Sequence, residues 1–426
     1  MNWYYATKDE QQIGPVDDSA IPALIKEGTI TIATPVWSDG MPDWALVSQT
    51  VLSVHFPKQP PKLPPPIKTN PSTSEVISDI RANIPRITDK VVGHITNFAG
   101  VERLDKRFSI KEVFSEAFKK HPRDEVEEYF AVGTPNNTPG IDQIDPCWPK
   151  PWIFLRTLSG ALIIYGAFLL AWNMFQNINL VPGLIMIGSF AVPLATLVFF
   201  IEMNARRNVS LYQIIRLVFA GGILALVLSL LLSEVADFLR LSWLGASVAG
   251  LVEEPGKLLA LLAVARIPKY HYRLNGILFG AAVGTGFAAF ESAGYALRMG
   301  LLVDTDIMKD TIIIRGLLSP CSHIAWTAIC AAGIWRVKGK LPFHFAMLSD
   351  IRFLRLFGSA VILHMIWNSP IYLPLYAKYI ILGIVAWVII LSLIQDGLKE
   401  LRDEKNGAKD PSSDSSDAVN QQNDKP

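Results

Sequence analysis

Cysteine is scarce in this chain. Only Cys147, Cys321 and Cys330 are present, without paired spacing, which argues against a disulfide framework and against a cysteine-built metal site. Cys321 and Cys330 fall in an apolar run, where thiols serve as packing residues. Charge of one sign is missing as well: the formal net charge is +1 and charged residues make up 18%, so the composition holds no basic surface for nucleic acid. Met1 to Ala6 reads as an aromatic strand rather than a basic stretch followed by an apolar one, so no signal peptide is expected. A phosphate loop is absent too, because Gly280, Gly284 and Gly286 lie within an apolar run and read as small-residue helix contacts.

Apolar residues dominate instead. Half of the 426 residues are hydrophobic, which indicates a membrane protein with soluble ends. The expected fold is an α-helical polytopic membrane protein of about eight transmembrane helices with a small N-terminal α+β cytoplasmic domain. Residues 1–50 form that domain, with aromatic runs at Trp3-Tyr4-Tyr5 and at Trp37 and Trp44 around a Gly14-Pro15 turn. Residues 51–73 are a proline-rich linker, with Pro57 to Pro66 favouring a polyproline II spacer. Residues 74–150 read as an amphipathic cytoplasmic region, with Val113, Phe114, Ala117 and Phe118 on one side of a helix. Residues 151–397 are the membrane domain, and the polar tail 398–426 is expected to be disordered.

Hydropathy places spans at about 152–172, 180–201, 211–233, 243–265, 274–298, 311–335, 353–375 and 378–396. Arg206, Arg207, Arg266, Lys269, Arg273, Arg336, Lys338, Lys340, Arg352 and Arg355 fall on one side of these, against Arg240, Arg298, Lys309, Arg315 and Lys378 on the other. The excess of cations on the first side puts both termini in the cytoplasm.

Against this apolar background, ionisable residues inside the spans stand out, since each costs about 2.5 to 3.5 kcal/mol on insertion scales. Glu253, Glu254 and Lys257 lie in one span, Glu291 in the next, then His323, then His364 with Asn368. Counting along the helices puts Glu253, His323 and His364 near the midplane and Glu291 nearer the outer leaflet. Lys257 is three and four residues from the two acids, close enough to neutralise either. Two adjacent carboxylates share a proton, leaving one free to act as a general base. Pro255 and Gly256 are expected to loosen the helix and admit water. His364 and Asn368, four apart, point at one small target such as a developing oxyanion. His323, His364 and Glu291 could alternatively ligate a metal in an open three-ligand site, although no His-Glu-x-x-His is present.

The order Glu-Glu-x-x-Lys (253–257), Gly-x-Gly-Phe-Ala-x-x-Glu (284–291), a lone His323 and His-x-x-Trp-Asn (364–368) resembles the motif set of PrsW-type intramembrane proteases, which are distantly similar to the CAAX prenyl endopeptidases. That resemblance implies that Glu253 or Glu254 activates water with His323, that His364 and Asn368 stabilise the tetrahedral intermediate, and that Lys257 and Glu291 support them. The CAAX enzymes carry a histidine where this chain has Glu291, and the resemblance leaves the cofactor as none or zinc. Residues 1–50 resemble GYF-like domains through Trp3-Tyr4-Tyr5, Gly14-Pro15, Gly28 to Ile32, and Val36-Trp37 to Asp43-Trp44. This implies a surface of Trp3, Tyr4, Tyr5, Trp37 and Trp44 for a proline-rich peptide, or for the chain's own linker.

The expected activity is hydrolysis of peptide bonds in membrane-embedded or membrane-proximal proteins, in a bacterial-type inner membrane, with regulated proteolysis expected by analogy. A proton-coupled transporter relaying through the same Glu/His set, or a non-catalytic membrane scaffold, are the alternatives.

Overall fold

The computed structural model describes residues 1–7, 9–56, 89–105, 108–122, 125, 128 and 130–407. The chain divides into Met1–Ala82 and Asn83–Pro426. Most of the expected linker and of the polar tail lies outside the described residues.

In the first unit, β1 (Asn2–Ala6), β2 (Gln12–Asp17), β3 (Pro35–Ser38) and β4 (Ala45–Leu46) form an antiparallel sheet in the order β2-β1-β3-β4, with helix α1 (Ile21–Lys26) between β2 and β3. Alternation along β1 sends Trp3 and Tyr5 into a core with Ile21, Ile30, Val36 and Val47, while Tyr4 takes the other face opposite Trp37. The core also takes in Leu52, and Phe56 packs on it, so the packed unit runs past residue 50. Gly14 is required beneath Tyr4, because a Cβ there would lie 2.5 Å from the ring.

The second unit begins with a helix over 89–99, here α2, and a single turn α3 (Ile110–Val113). The amphipathic stretch expected around 111–119 is therefore mostly irregular: Val113 and Ala117 are buried, whereas Phe118 is exposed. The larger helices follow as α4 (Ile153–Phe175), α5 (Val181–Met203), α6 (Leu211–Phe238), α7 (Val248–Ala265), α8 (Arg273–Leu302), α9 (Thr305–Leu318), α10 (His323–Lys338), α11 (Ile351–Asn368) and α12 (Ala377–Gly407).

Among the described residues, six segments are long and apolar enough to cross a membrane: Ile153–Phe175, Ile178–Met203, Leu211–Phe238, Arg273–Leu302, Thr305–Lys338 and Pro374–Gly407. The other two expected spans fall on α7 and α11. Each has 18 residues, a length of about 27 Å against a hydrocarbon core of about 30 Å, and each carries the polar residues of interest.

Burial shows what sits at the centre. Leu274 to Ala289 of α8 are buried without a break, as are His323 to Trp335 of α10, whereas α4 buries only Ile153, Tyr165 and Trp172. The small residues of α8 allow this. A Cβ on Gly280 would lie 2.4 Å from the Thr327 carbonyl oxygen, and one on Gly286 would collide with that of Val218, within a π-helical turn of α6. These are the small-residue helix contacts expected from the sequence.

Cations of the membrane body anchor the preceding region. Arg206, Lys269, Arg336 and Lys405 donate to the carbonyl oxygens of Pro139, Gly133, Gly100 and Ile144 respectively. Glu202, buried on α5, accepts the N–H groups of Trp152, Ile153 and Phe154 at 2.7, 2.8 and 2.9 Å, which caps the start of α4.

Candidate active site

Four helices converge on one polar cluster. α7 supplies Glu253, Glu254 and Lys257, α8 supplies Glu291, α10 supplies His323 and α11 supplies His364. Local sequence explains two departures from the expected spans. Pro320 lies in a 3-10 turn, Ser319–Cys321, that separates α9 from α10, so His323 heads a helix rather than sitting in the middle of one. Pro370 holds Ser369 extended, so α11 stops at Asn368, one turn after His364.

Pro255 behaves differently from expectation. α7 runs through it unbroken, and Gly256 serves close packing on α6, where a Cβ would lie 2.5 Å from Ser229 Oγ and 2.9 Å from its backbone nitrogen. The expected opening at Pro255-Gly256 is thus a tight helix contact.

The distances assign distinct surroundings to the three acids. Glu254 is wholly buried, and its Oε1 lies 2.8 Å from Lys257 Nζ and 2.8 Å from His364 Nδ1. Glu291 Oε2 lies 2.9 Å from His323 Nε2 and 2.5 Å from Arg315 Nη2. Glu253 keeps 16% of its side chain exposed, and its Oε2 is 3.6 Å from His323 Nδ1, 3.8 Å from His364 Nε2 and 3.4 Å from Lys257 Nζ. An ionised carboxylate can only accept, so Glu291 selects the Nε2–H form of His323 and Glu254 the Nδ1–H form of His364. Each imidazole then turns its lone pair toward Glu253.

Aromatic rings wall the cluster. Trp326 stacks on His364 with centroids 4.2 Å apart, and Phe287 lies 5.0 Å from His323 and 4.1 Å beneath Lys257 Nζ. Two buried polar atoms here, Glu254 Oε2 and Trp326 Nε1, have no hydrogen-bond partner among the described residues. A cavity of about 1430 Å³, bordered by Phe108, Trp148 and Arg402, shares none of the cluster's residues.

These donors fit a metal ion. One ligand atom each from Glu253, His323 and His364 lie within 4.8 Å of one another, a two-histidine, one-carboxylate set. Behind each histidine stands a carboxylate, the usual outer partner that fixes a metal-binding imidazole. Glu291, expected among the ligands, occupies that outer place, and Glu253 stands with the histidines instead. Lys257 Nζ is 2.9 Å from His323 Nδ1, so the ammonium and a metal ion contend for the same lone pair.

Residues 210–394, which contain the whole cluster, match the model of the PrsW family intramembrane metalloproteases. The segment is a PrsW-family domain. Residues 3–50 match GYF domain 2. No curated protein and no solved structure matches the chain. Within the PrsW domain the motifs at 253–257, 284–291, 323 and 364 meet in space, while Asn368 is half-buried at the end of α11 and its side chain makes no hydrogen bond among the described residues. Arg315, read from the sequence as an outer-side loop cation, is part of the PrsW cluster. The signal was present, because position 315 lies inside the span expected at 311–335, where a cation needs a partner.

Of the aromatics expected to bind peptide in the GYF domain, Trp3 and Tyr5 are 2% and 5% exposed and belong to the core. Trp3 Nε1 donates to Asp18 Oδ1 at 2.6 Å, which fixes the ring. Tyr4 and Trp37 pair on the opposite face with centroids 5.8 Å apart, and Trp44 is 39% exposed.

Proposed function

We propose that this chain is an intramembrane endopeptidase that hydrolyses peptide bonds of membrane-embedded or membrane-proximal proteins at the Glu253, His323 and His364 cluster. The observation that carries the reading is the convergence of both imidazole lone pairs on the Glu253 carboxylate, within a PrsW-family domain. His323 Nδ1, His364 Nε2 and the Glu253 carboxylate would hold a zinc ion, which when bound supplies a Lewis acid that acidifies water and polarises the scissile carbonyl.

The chain's own groups divide the remaining tasks. Glu254 and Glu291 hold the two imidazoles in the tautomers that face Glu253. Lys257 balances the paired acids of α7 in the membrane interior. Trp326 and Phe287 exclude bulk water from the inner side of the cluster, which strengthens every charge interaction within it. Asn368, on the same helix as His364 and one turn beyond it, is the amide available to donate to the tetrahedral oxyanion.

A second reading has its own observation. Lys257 held against His323 Nδ1 favours a metal-free site in which Glu253 takes the proton of the attacking water. The GYF domain serves as a recruitment module for proline-rich segments, through Tyr4, Trp37 and Trp44.

Cleavage of membrane proteins in reconstituted vesicles tests the reading, with Glu253→Gln and His364→Ala beside the wild type and zinc assayed on the same samples. Loss of cleavage in both folded variants supports the endopeptidase. Proton flux without cleavage, abolished in both variants, would replace it with a transporter.

A further inference from the structure

We propose that Arg315 is a positioning residue for His323 that acts through Glu291, so that the α9 helix controls the geometry of the site; this rests on reading the Glu253, His323 and His364 cluster as the hydrolytic centre. Both contacts fall on one atom, because Glu291 Oε2 takes Arg315 Nη2 at 2.5 Å and His323 Nε2 at 2.9 Å. The guanidinium is itself fixed on three sides. Its Nε donates to Ser292 Oγ at 3.1 Å, and its carbon lies 4.3 Å from the ring centroid of Tyr295. Residues 291, 292 and 295 follow one stripe of α8, so the side chain is laid along that helix.

The path of the chain makes the contact consequential. Arg315 stands on the last turn of α9, and His323 opens α10 just beyond the Ser319–Cys321 turn. Both arms of this break therefore end on the same carboxylate oxygen. A carboxylate within a membrane domain persists when paired, and the planar fork of arginine satisfies it in a fixed direction that a lysine ammonium does not reproduce. Without Arg315, the Glu291 side chain is held by His323 alone and turns about its own torsions. His323 Nδ1 then loses its fixed aim at Glu253 Oε2, 3.6 Å away. Arg315 keeps 28% of its side chain exposed, so α9 and whatever packs on it can reach the site through this one contact.

The test uses the full chain in detergent, comparing wild type, Arg315→Met, Glu291→Gln, the double variant and Arg315→Lys. Zinc affinity is read by competition with a chromophoric chelator, and the His323 tautomer by side-chain nitrogen NMR. Outer partners of metal-binding histidines are worth about 10- to 100-fold in affinity, so each single variant should lose about tenfold or more. The double variant should bind no more weakly than Glu291→Gln alone, because the two residues act in series. In the NMR arm, Arg315→Met should lose the uniform Nε2–H form. Wild-type affinity and tautomer in Arg315→Met, or losses that multiply in the double variant, overturn the proposal. If Arg315→Met does not fold, Arg315→Lys carries the comparison: it should fold, lose affinity and lose the uniform tautomer, and wild-type behaviour there overturns the proposal. A wild type that takes up no zinc counts against the metal site alone, and the NMR arm then decides.

Discussion

Gly284 on α8 abuts the head of α10 at His323: a Cβ at Gly284 would lie 2.6 Å from the His323 carbonyl oxygen and 2.8 Å from the Cα of Ile324. Helix spacing at the site is thus set by the absence of a side chain, and backbone cannot yield as a flexible side chain would. Gly284→Val should push His323 away from Glu291 and Glu253, lowering cleavage by about 100-fold, in keeping with the cost of misplacing a catalytic group by an ångström. Gly294, on the same helix, has open space around it, and Gly294→Ala should leave cleavage unchanged while slightly favouring the helix. Circular dichroism on both variants distinguishes displacement from unfolding.

The paired acids of α7 should separate by role. Glu253 reaches both imidazoles and solvent, while Glu254 touches Lys257 and the outer nitrogen of His364. Glu253→Gln should therefore abolish cleavage, whereas Glu254→Gln keeps an oxygen for His364 Nδ1–H and loses about 10- to 100-fold. Steady-state cleavage measures the difference. Equal losses, or a greater loss at Glu254, would reverse the assignment.

Lys257 should oppose metal binding. Its ammonium holds the lone pair of His323 that a metal ion needs, at 2.9 Å, and it is wholly buried with no solvent to turn toward. Lys257→Met keeps the volume and removes the competing charge, so zinc should bind at least tenfold more tightly, as a chelator competition would show. Stability should fall at the same time, because removing one member of a buried ion pair costs about 3 to 5 kcal/mol. Weaker zinc binding in a folded Lys257→Met would mean that the ammonium supports the ligands instead.

How much of this was legible in the sequence depended on range. Hydropathy and the ionisable residues within it identified the helices and the members of the cluster, because each carries its own cost in hydrocarbon. Which carboxylate joins the histidines was not legible, since Glu253 and Glu291 differ by the geometry between α7, α8 and α10 and not by local pattern. The break before His323 was missed because Pro320 was read as part of a continuous helix, although proline lacks the donor that a helix interior needs. Arg315 was hidden by being assigned to a loop. In the N-terminal unit, alternation alone separates Tyr4 from Trp3 and Tyr5, so the core and surface aromatics could have been told apart once β1 was recognised.

That separation gives the last expectation. Trp3 fills the small core with its indole tied to Asp18, and truncating a buried tryptophan costs about 3 to 5 kcal/mol, comparable to the whole stability of a domain this size. Trp3→Ala should unfold the N-terminal unit. Trp37 lies on the opposite face beside Tyr4 and donates its Nε1–H to the Met41 carbonyl at 2.9 Å, which aims its ring without burying it. Trp37→Ala should leave the unit folded and lower its affinity for a labelled peptide of the sequence 57–68 by about tenfold or more, the size expected for a central aromatic contact. Nuclear magnetic resonance and fluorescence anisotropy on the full chain separate the two effects. A folded Trp37→Ala that binds the peptide as wild type does would move the peptide surface away from the Tyr4 and Trp37 pair, toward Trp44 at the exposed edge.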